Sequence, residues 1–529
     1  MKKYLSLIIL FFSTFLFAQT EQQSIELPDF VITGRQNIDI PVAQKKKPEL
    51  VSTISKDFLT PQYSPEEFPL LFSSLPVQVQ PGIKSFDFYF NGTIKAQAGR
   101  YTLPAGILSM NQNFDNYLFN ASIRGSNIRE YVPNSGYNYI GFSLSNELFL
   151  STRSDFLPGS KIRFGADYFR DSYHLFGTLD PSFLRERNNG TANISIENSY
   201  NRWISYGFGF KGNIYTLSES GLKETNLNAN GLFEFKQNYF TVGVKGNYLK
   251  QTLEKNISGS NGSNFYSFGS YVKIFPMRSL LFNVGFDYAS DSSNSFFAPF
   301  GSVEYNFEKG FTLTCEFKPG TEHFNATDIF NRNRYYNPGA IDNVFLKYKS
   351  NLNFGLKFEY NKMYSISFRS GYSKAENYFY FEDRVDKGKF DLYVLPEVSV
   401  FSAGIEFILN PSYYGTFFAD IEFKDVKDAL DKIVPYEPRI SSTLSYGYNF
   451  SPGFGFNAKY LLKLNTYTDI INSNKLDNYH NISFSLFYEL LKGLKLTADF
   501  QNILNRSNFV WKQYQEKPFD LLFGVEYRW

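Results

Sequence analysis

The chain ends on DLLFGVEYRW, residues 520–529, in which Leu521, Phe523, Val525, Tyr527 and Trp529 take every second position and Asp520, Gly524, Glu526 and Arg528 are interleaved with them. A period of two is the period of a strand, and a strand that is apolar on one side and polar on the other separates two environments. A soluble sandwich strand alternates in the same way. A strand that alternates and stops on an aromatic residue is also the way an outer-membrane β-barrel ends, with one face in lipid and the other in a wet lumen. The pattern therefore has to recur along the chain before it decides the fold.

Composition agrees with a barrel. Aromatic residues make up 19% of the 529 residues, yet the mean hydropathy is −0.30, which suits apolar girdles outside and a polar lumen inside. Nowhere do about 20 consecutive apolar residues occur, so helices are not what spans a membrane here. The formal net charge of +2 lacks the concentrated basic face that nucleic-acid binding requires. Met1–Gln19 reads as a signal peptide: Lys2 and Lys3, an apolar run from Tyr4 to Phe17, then Ala18 as a small residue for cleavage. The single cysteine, Cys315, falls on the apolar stripe with Phe311, Leu313 and Phe317 and is expected to face lipid.

Residues 20–84 are rich in Pro, Gln, Ser and Lys without a sustained period, and are expected to form an extended periplasmic tail. From residue 85 to 529 alternating segments follow one another. Ile204, Tyr206, Phe208 and Phe210 alternate with Ser205, Gly207, Gly209 and Lys211; Leu352, Phe354, Leu356, Phe358 and Tyr360 alternate with Asn353, Gly355, Lys357 and Glu359. A lysine facing lipid at the midplane costs about 2–4 kcal/mol, so Lys357 and Glu359 must line the lumen. Counting the segments gives about 22 antiparallel strands, an even number inside the bacterial range, with both chain ends on the periplasmic side. Short connections, such as those near Asn361, Ser451–Gly453 and Leu491–Gly493, would be periplasmic. Long ones, including 126–137, 177–189, 323–343, 425–437, 466–477 and 506–517, would face outward.

Two segments carry a family resemblance. Asp29, Phe30, Val31, Ile32, Thr33 and Gly34 form a short β-prone run near the start of the tail. It resembles the TonB box of TonB-dependent outer-membrane receptors, which implies a docking strand for a TonB-like energy transducer. Asp499–Asn505, followed by a loop and the closing strand, resemble the last two strands of the same receptors, and the strand count fits. The resemblance further implies that Tyr527 and Trp529 act as the signal read by the barrel assembly machinery. One departure stands out: between Arg35 and Ser85 there is no room for the plug domain of that family. The expectation is a plugless receptor or transporter that passes or binds a solute, with a passive porin-like channel or a structural barrel docking periplasmic partners as alternatives.

No catalytic, metal-binding or cofactor-binding residues are expected. His174, His323 and His480 lie in unrelated contexts near the outer rim without ligand spacing. Arg332, Arg334, Tyr335 and Tyr336 form a basic and aromatic cluster in an outer loop and are expected to contact a ligand or lipopolysaccharide. Tyr378–Phe381 is expected in a long hairpin crossing the membrane interface, where aromatics anchor barrels.

Overall fold

A computed structural model describes residues 91–529 except 154, 156, 256–258, 308–309, 340–342, 362 and 411–414. The expected signal peptide and tail, Asp29–Gly34 included, lie outside the described residues. The chain is nearly all-β, with a closed antiparallel barrel of 22 strands. Its first strand, Gly92–Gly99, pairs with the last, Asp520–Arg528, from Thr93 opposite Arg528 to Gly99 opposite Leu522, so the sheet has no free edge.

The alternation read from the sequence sets the register. Ile94, Phe208, Phe210, Phe354, Ile405 and Phe523 are exposed on the outside, while charged side chains of the opposite parity pair along the inner wall. Arg163 lies 3.0 Å from Glu147 and 2.7 Å from Glu197, Arg369 holds Asp420 at 2.5 Å, and Lys357 meets Glu359 at 2.8 Å. Cys315, opposite Val303 and Phe354, is exposed on the apolar face as expected. At the seam Trp529 exchanges backbone hydrogen bonds of 3.1 Å with Gly92. Its indole lies where a side chain on Gly92 would stand, 2.2 Å from an added Cβ.

Connections on one rim are short, as expected of the periplasmic side, apart from residues 150–160 between the fourth and fifth strands. Gly310 and Gly493 close two of these turns, both with φ of +84°. A Cβ there would stand 2.1 Å from the Glu359 carbonyl and 2.3 Å from that of Arg528, respectively. Only glycine fits such a position without strain. Gly310→Ala is expected to destabilise the barrel by more than about 1 kcal/mol, read as a lower temperature for loss of the compact band in heat-modifiability gels; an unchanged temperature would show that the turn relaxes freely.

On the other rim the chain folds inward. The wall strand Phe311–Phe317 resumes as Gly320–Phe324 after a break at Lys318 and Pro319, and its partner Val344–Tyr360 slips register between Tyr348 and Ser350 at the same level. Breaks of this kind re-aim a strand. Above them Val344, Phe345 and Leu346 are buried in succession, which a strand in a barrel wall with one lipid face does not show. The connection that follows contains a helix, Ala326–Arg332, capped by Asn325 and Asp328 in a reciprocal box.

Candidate functional site

The inner wall near the outer rim supplies the anchors for this segment. Glu224, completely buried on strand Leu222–Lys236, accepts hydrogen bonds from the amides of Ala326 at 2.9 Å and Thr327 at 2.8 Å, and from the Thr327 hydroxyl. Those amides are orphan donors of the first helical turn, so one carboxylate both satisfies and orients them. Arg187, on strand Leu184–Asn198, forms a two-pronged pair with Asp171, with Nε donating at 2.8 Å; its remaining nitrogen reaches the Phe330 carbonyl at 3.4 Å. Arg185, fully buried, donates to the carbonyls of Arg334 at 3.0 Å and Tyr336 at 2.8 Å. Tyr173 adds a 2.6 Å bond to the Arg334 carbonyl.

Asp171→Ala would leave the Arg187 guanidinium buried without its carboxylate. We expect it to destabilise this end of the barrel by about 3–5 kcal/mol, seen as a lower thermal midpoint, and Asp171→Ala with Arg187→Met to recover most of the loss. A double variant as unstable as the single one would remove charge burial as the cause.

Apolar packing extends these anchors across the mouth. One buried cluster joins Tyr173, Tyr215 and Leu253 of the wall, Ile329 and Phe330 of the helix, Phe379, Phe381, Phe390 and Leu392 of an inward hairpin, and Tyr514. The hairpin, Tyr378–Glu382 paired with Asp391–Leu395, rises between wall strands Tyr364–Glu376 and Val398–Leu409. That is nearly half-way round the ring from strand Lys161–His174, which carries Tyr173. A continuous core with members from both places must cross the lumen. Direct contacts say the same: the Tyr514 hydroxyl donates to the Gly388 carbonyl at 2.6 Å, and Tyr514 stacks on Tyr335 with ring centroids 3.5 Å apart. Burial first, then the adjoining Tyr335 phenol, push the Tyr514 hydroxyl above its ordinary pKa, so it stays a neutral donor.

Beside this bridge lies a cavity of ≈ 450 Å³. Tyr131, Tyr137, Tyr335, Tyr514 and Trp511 give it aromatic walls, and Arg334, Glu516, Lys517, Asn481 and Gln501 give it polar groups. Lys517 is already engaged by Asp520 at 2.7 Å, and Glu516 by the Tyr479 hydroxyl at 2.7 Å. Arg334 has no carboxylate within ion-pair distance among the described residues. Its guanidinium sits 5.2, 5.7 and 5.0 Å from the ring centroids of Tyr137, Tyr173 and Tyr335, in the range of cation–π contact, and the side chain is exposed. This is a positive charge held by aromatic rings and open to an anion.

The cluster expected at the cell surface is thus divided. Arg334 and Tyr335 line the cavity, but Tyr335 and Tyr336 are only 4% and 3% exposed, and Arg332 lies over the rings of Phe324 and Phe379 at 4.1 and 4.8 Å. Tyr378–Phe381 does not cross the membrane interface; these residues are buried inside the mouth. Arg185–Asn189, read as part of an outer loop, belong to the wall. The histidines stay apart: His174 contacts the Pro181 carbonyl at 2.9 Å, His480 the Tyr460 hydroxyl at 2.8 Å, and His323 stacks on Phe265 at 5.2 Å. Asp171, Arg185, Arg187 and Glu224 had no sequence signal, because alternation says nothing of partners, and those that Arg185, Arg187 and Glu224 find on the inward segment lie more than a hundred residues away.

Together the closed barrel, its lipid-facing apolar bands and its mixed-charge interior define a transmembrane β-barrel of the outer-membrane type. Neither a family model nor a curated protein matches the sequence. Solved structures do match in fold. The ferric-catecholate import receptor Fiu of E. coli K12, in its closed form, superposes with a TM-score of 0.64 at 10% identity over 83% of this chain and 82% of that one. The siderophore receptor PirA of Pseudomonas aeruginosa gives 0.60 at 9% identity over 83% and 79%, and the copper transporter OprC gives 0.63 at 9% over 83% and 80%. The fold is the one expected from the resemblance to TonB-dependent receptors, and the matched structures are of receptors and a transporter, not of enzymes.

Proposed function

We propose that this protein is a plugless outer-membrane receptor that captures a small anionic, ring-bearing solute in the cavity at Arg334 and passes it inward with energy drawn through Asp29–Gly34. The observation that carries the reading is a guanidinium in an aromatic cage at the outer mouth, bonded to the Tyr335 hydroxyl but without a carboxylate partner among the described residues. Rings recognise a flat or sugar-like body, and the arginine fork recognises a carboxylate or phosphate on it. A passive channel fits less well, since a mouth bridged by its own loops does not favour free diffusion.

The test is energetic. Whole cells carrying the protein are expected to accumulate a labelled solute that binds it, and to stop on collapse of the inner-membrane proton gradient while surface binding persists. Accumulation indifferent to the gradient would favour the passive channel. Absence of both binding and accumulation across anionic sugars and aromatic acids would favour a structural barrel.

A further inference from the structure

We infer that the captured solute has a second charged end, an ammonium or comparable cationic nitrogen across the ring from its carboxylate or phosphate, and that Glu516 receives it. The inference deepens the reading of the Arg334 cavity as a capture site and rests on it, but it does not depend on how, or whether, the solute is then carried inward.

Glu516 lines the same cavity as Arg334. It directly follows the small hairpin of Phe509–Trp511 and Tyr514–Gln515, which sets its position. Its amide donates to the Asn508 carbonyl at 2.8 Å, and the Tyr131 hydroxyl donates to the adjoining Gln515 carbonyl at 2.9 Å. One oxygen of its carboxylate accepts the Tyr479 hydroxyl at 2.7 Å. The other accepts no hydrogen bond among the described residues. A phenol that donates in this way orients a carboxylate and leaves its charge in place.

That charge has no counter-charge. Lys517, its neighbour in sequence, is committed to Asp520 at 2.7 Å and to the Thr102 hydroxyl at 2.6 Å. Among the described residues no lysine, arginine or histidine comes within ion-pair distance of Glu516, just as no carboxylate comes within it of Arg334. Two opposite charges thus line one cavity of ≈ 450 Å³ without meeting each other. They also share their surroundings. Burial pushes the phenols of Tyr131 and Tyr335 above their ordinary pKa, and on both of them Arg334 works to lower it and Glu516 to raise it.

A half-buried charge has lost part of its hydration, and without a partner that loss is not recovered. A cavity holding one of each sign is therefore complementary to a ligand that supplies both partners. A solute with an anionic end alone satisfies Arg334 and leaves Glu516 to repel it. Arg334 by itself would admit any small ring-bearing anion, and Glu516 makes the site choose among them.

Isothermal titration of the full-length protein in detergent micelles tests this with two matched pairs of probes: 4-(aminomethyl)benzoate against 4-methylbenzoate, and glucosamine 6-phosphate against glucose 6-phosphate. In at least one pair the amino member is expected to bind about tenfold more tightly or better. Glu516→Gln, which keeps an acceptor for the Tyr479 hydroxyl, should bring that member down to its amine-free partner without lowering the thermal midpoint. Arg334→Ala should weaken both members of the pair alike. Equal affinities within both pairs, or a Glu516→Gln loss shared by both members of a pair, would overturn the inference and leave the anion site standing. Absence of binding by all four probes would fault the capture site itself, and this inference with it.

Discussion

Removing Asp29–Gly34 is expected to abolish energised accumulation while leaving barrel insertion and surface binding at their native levels. The run alternates in a way that suits strand addition: Phe30 and Ile32 share one side, Val31 and Thr33 the other, and Gly34 closes it. In such a complex the backbone supplies most of the affinity, at about 1 kcal/mol per hydrogen bond, so losing the run removes several such contributions together. The effect should exceed that of any single side-chain change. Val31→Pro separates backbone pairing from side-chain recognition, because proline removes one donor and disfavours the ladder without altering charge. It is expected to come close to the deletion, whereas Asp29→Asn should retain most accumulation. If the deletion accumulates solute at the native rate, the segment is no docking strand, and the tail needs another role. If insertion fails as well, the run contributes to the fold instead.

The fold was legible in the sequence because a barrel in lipid imposes one rule on every strand. Each residue facing lipid must be apolar and each facing the lumen is free, so Phe208 beside Lys211, or Phe354 beside Lys357, already states which way the wall turns. Even the strand count follows, since each reversal shows as a break in the alternation. The mouth was not legible for the converse reason. Val344–Leu346 and Tyr378–Phe381 are apolar on both faces because they have left the wall for an interior core, and a purely local reading assigns such runs to the membrane interface, the other place where aromatics collect. The anchors are subtler still. Glu224 and Lys357 look alike as inward charges on alternating strands, and only the return of the helix to Glu224 makes one buried and the other a water-facing member of an ion pair.

Arg334→Ala is expected to reduce surface binding of the anionic solute by about ten- to a hundredfold, since a hydrogen-bonded charge pair in a partly desolvated site contributes about 1.5–3 kcal/mol and each 1.4 kcal/mol is tenfold. The prediction depends on Arg334 being a cation of the cavity without a carboxylate partner among the described residues. Lys517, the other basic group there, is already neutralised by Asp520 at 2.7 Å, so Lys517→Ala should weaken binding much less and act mainly on the seam near Thr102. Arg334→Lys keeps the charge but loses the planar fork and its stacking among Tyr137, Tyr173 and Tyr335, and should fall between native and alanine. The barrel should tolerate both Arg334 variants, because the contacts that fix this stretch to the wall run through the carbonyls of Arg334 and Tyr336, which neither of them alters. A loss of affinity shared equally by neutral ring compounds would place the energy in the aromatic walls, whereas a loss confined to anions assigns it to the guanidinium.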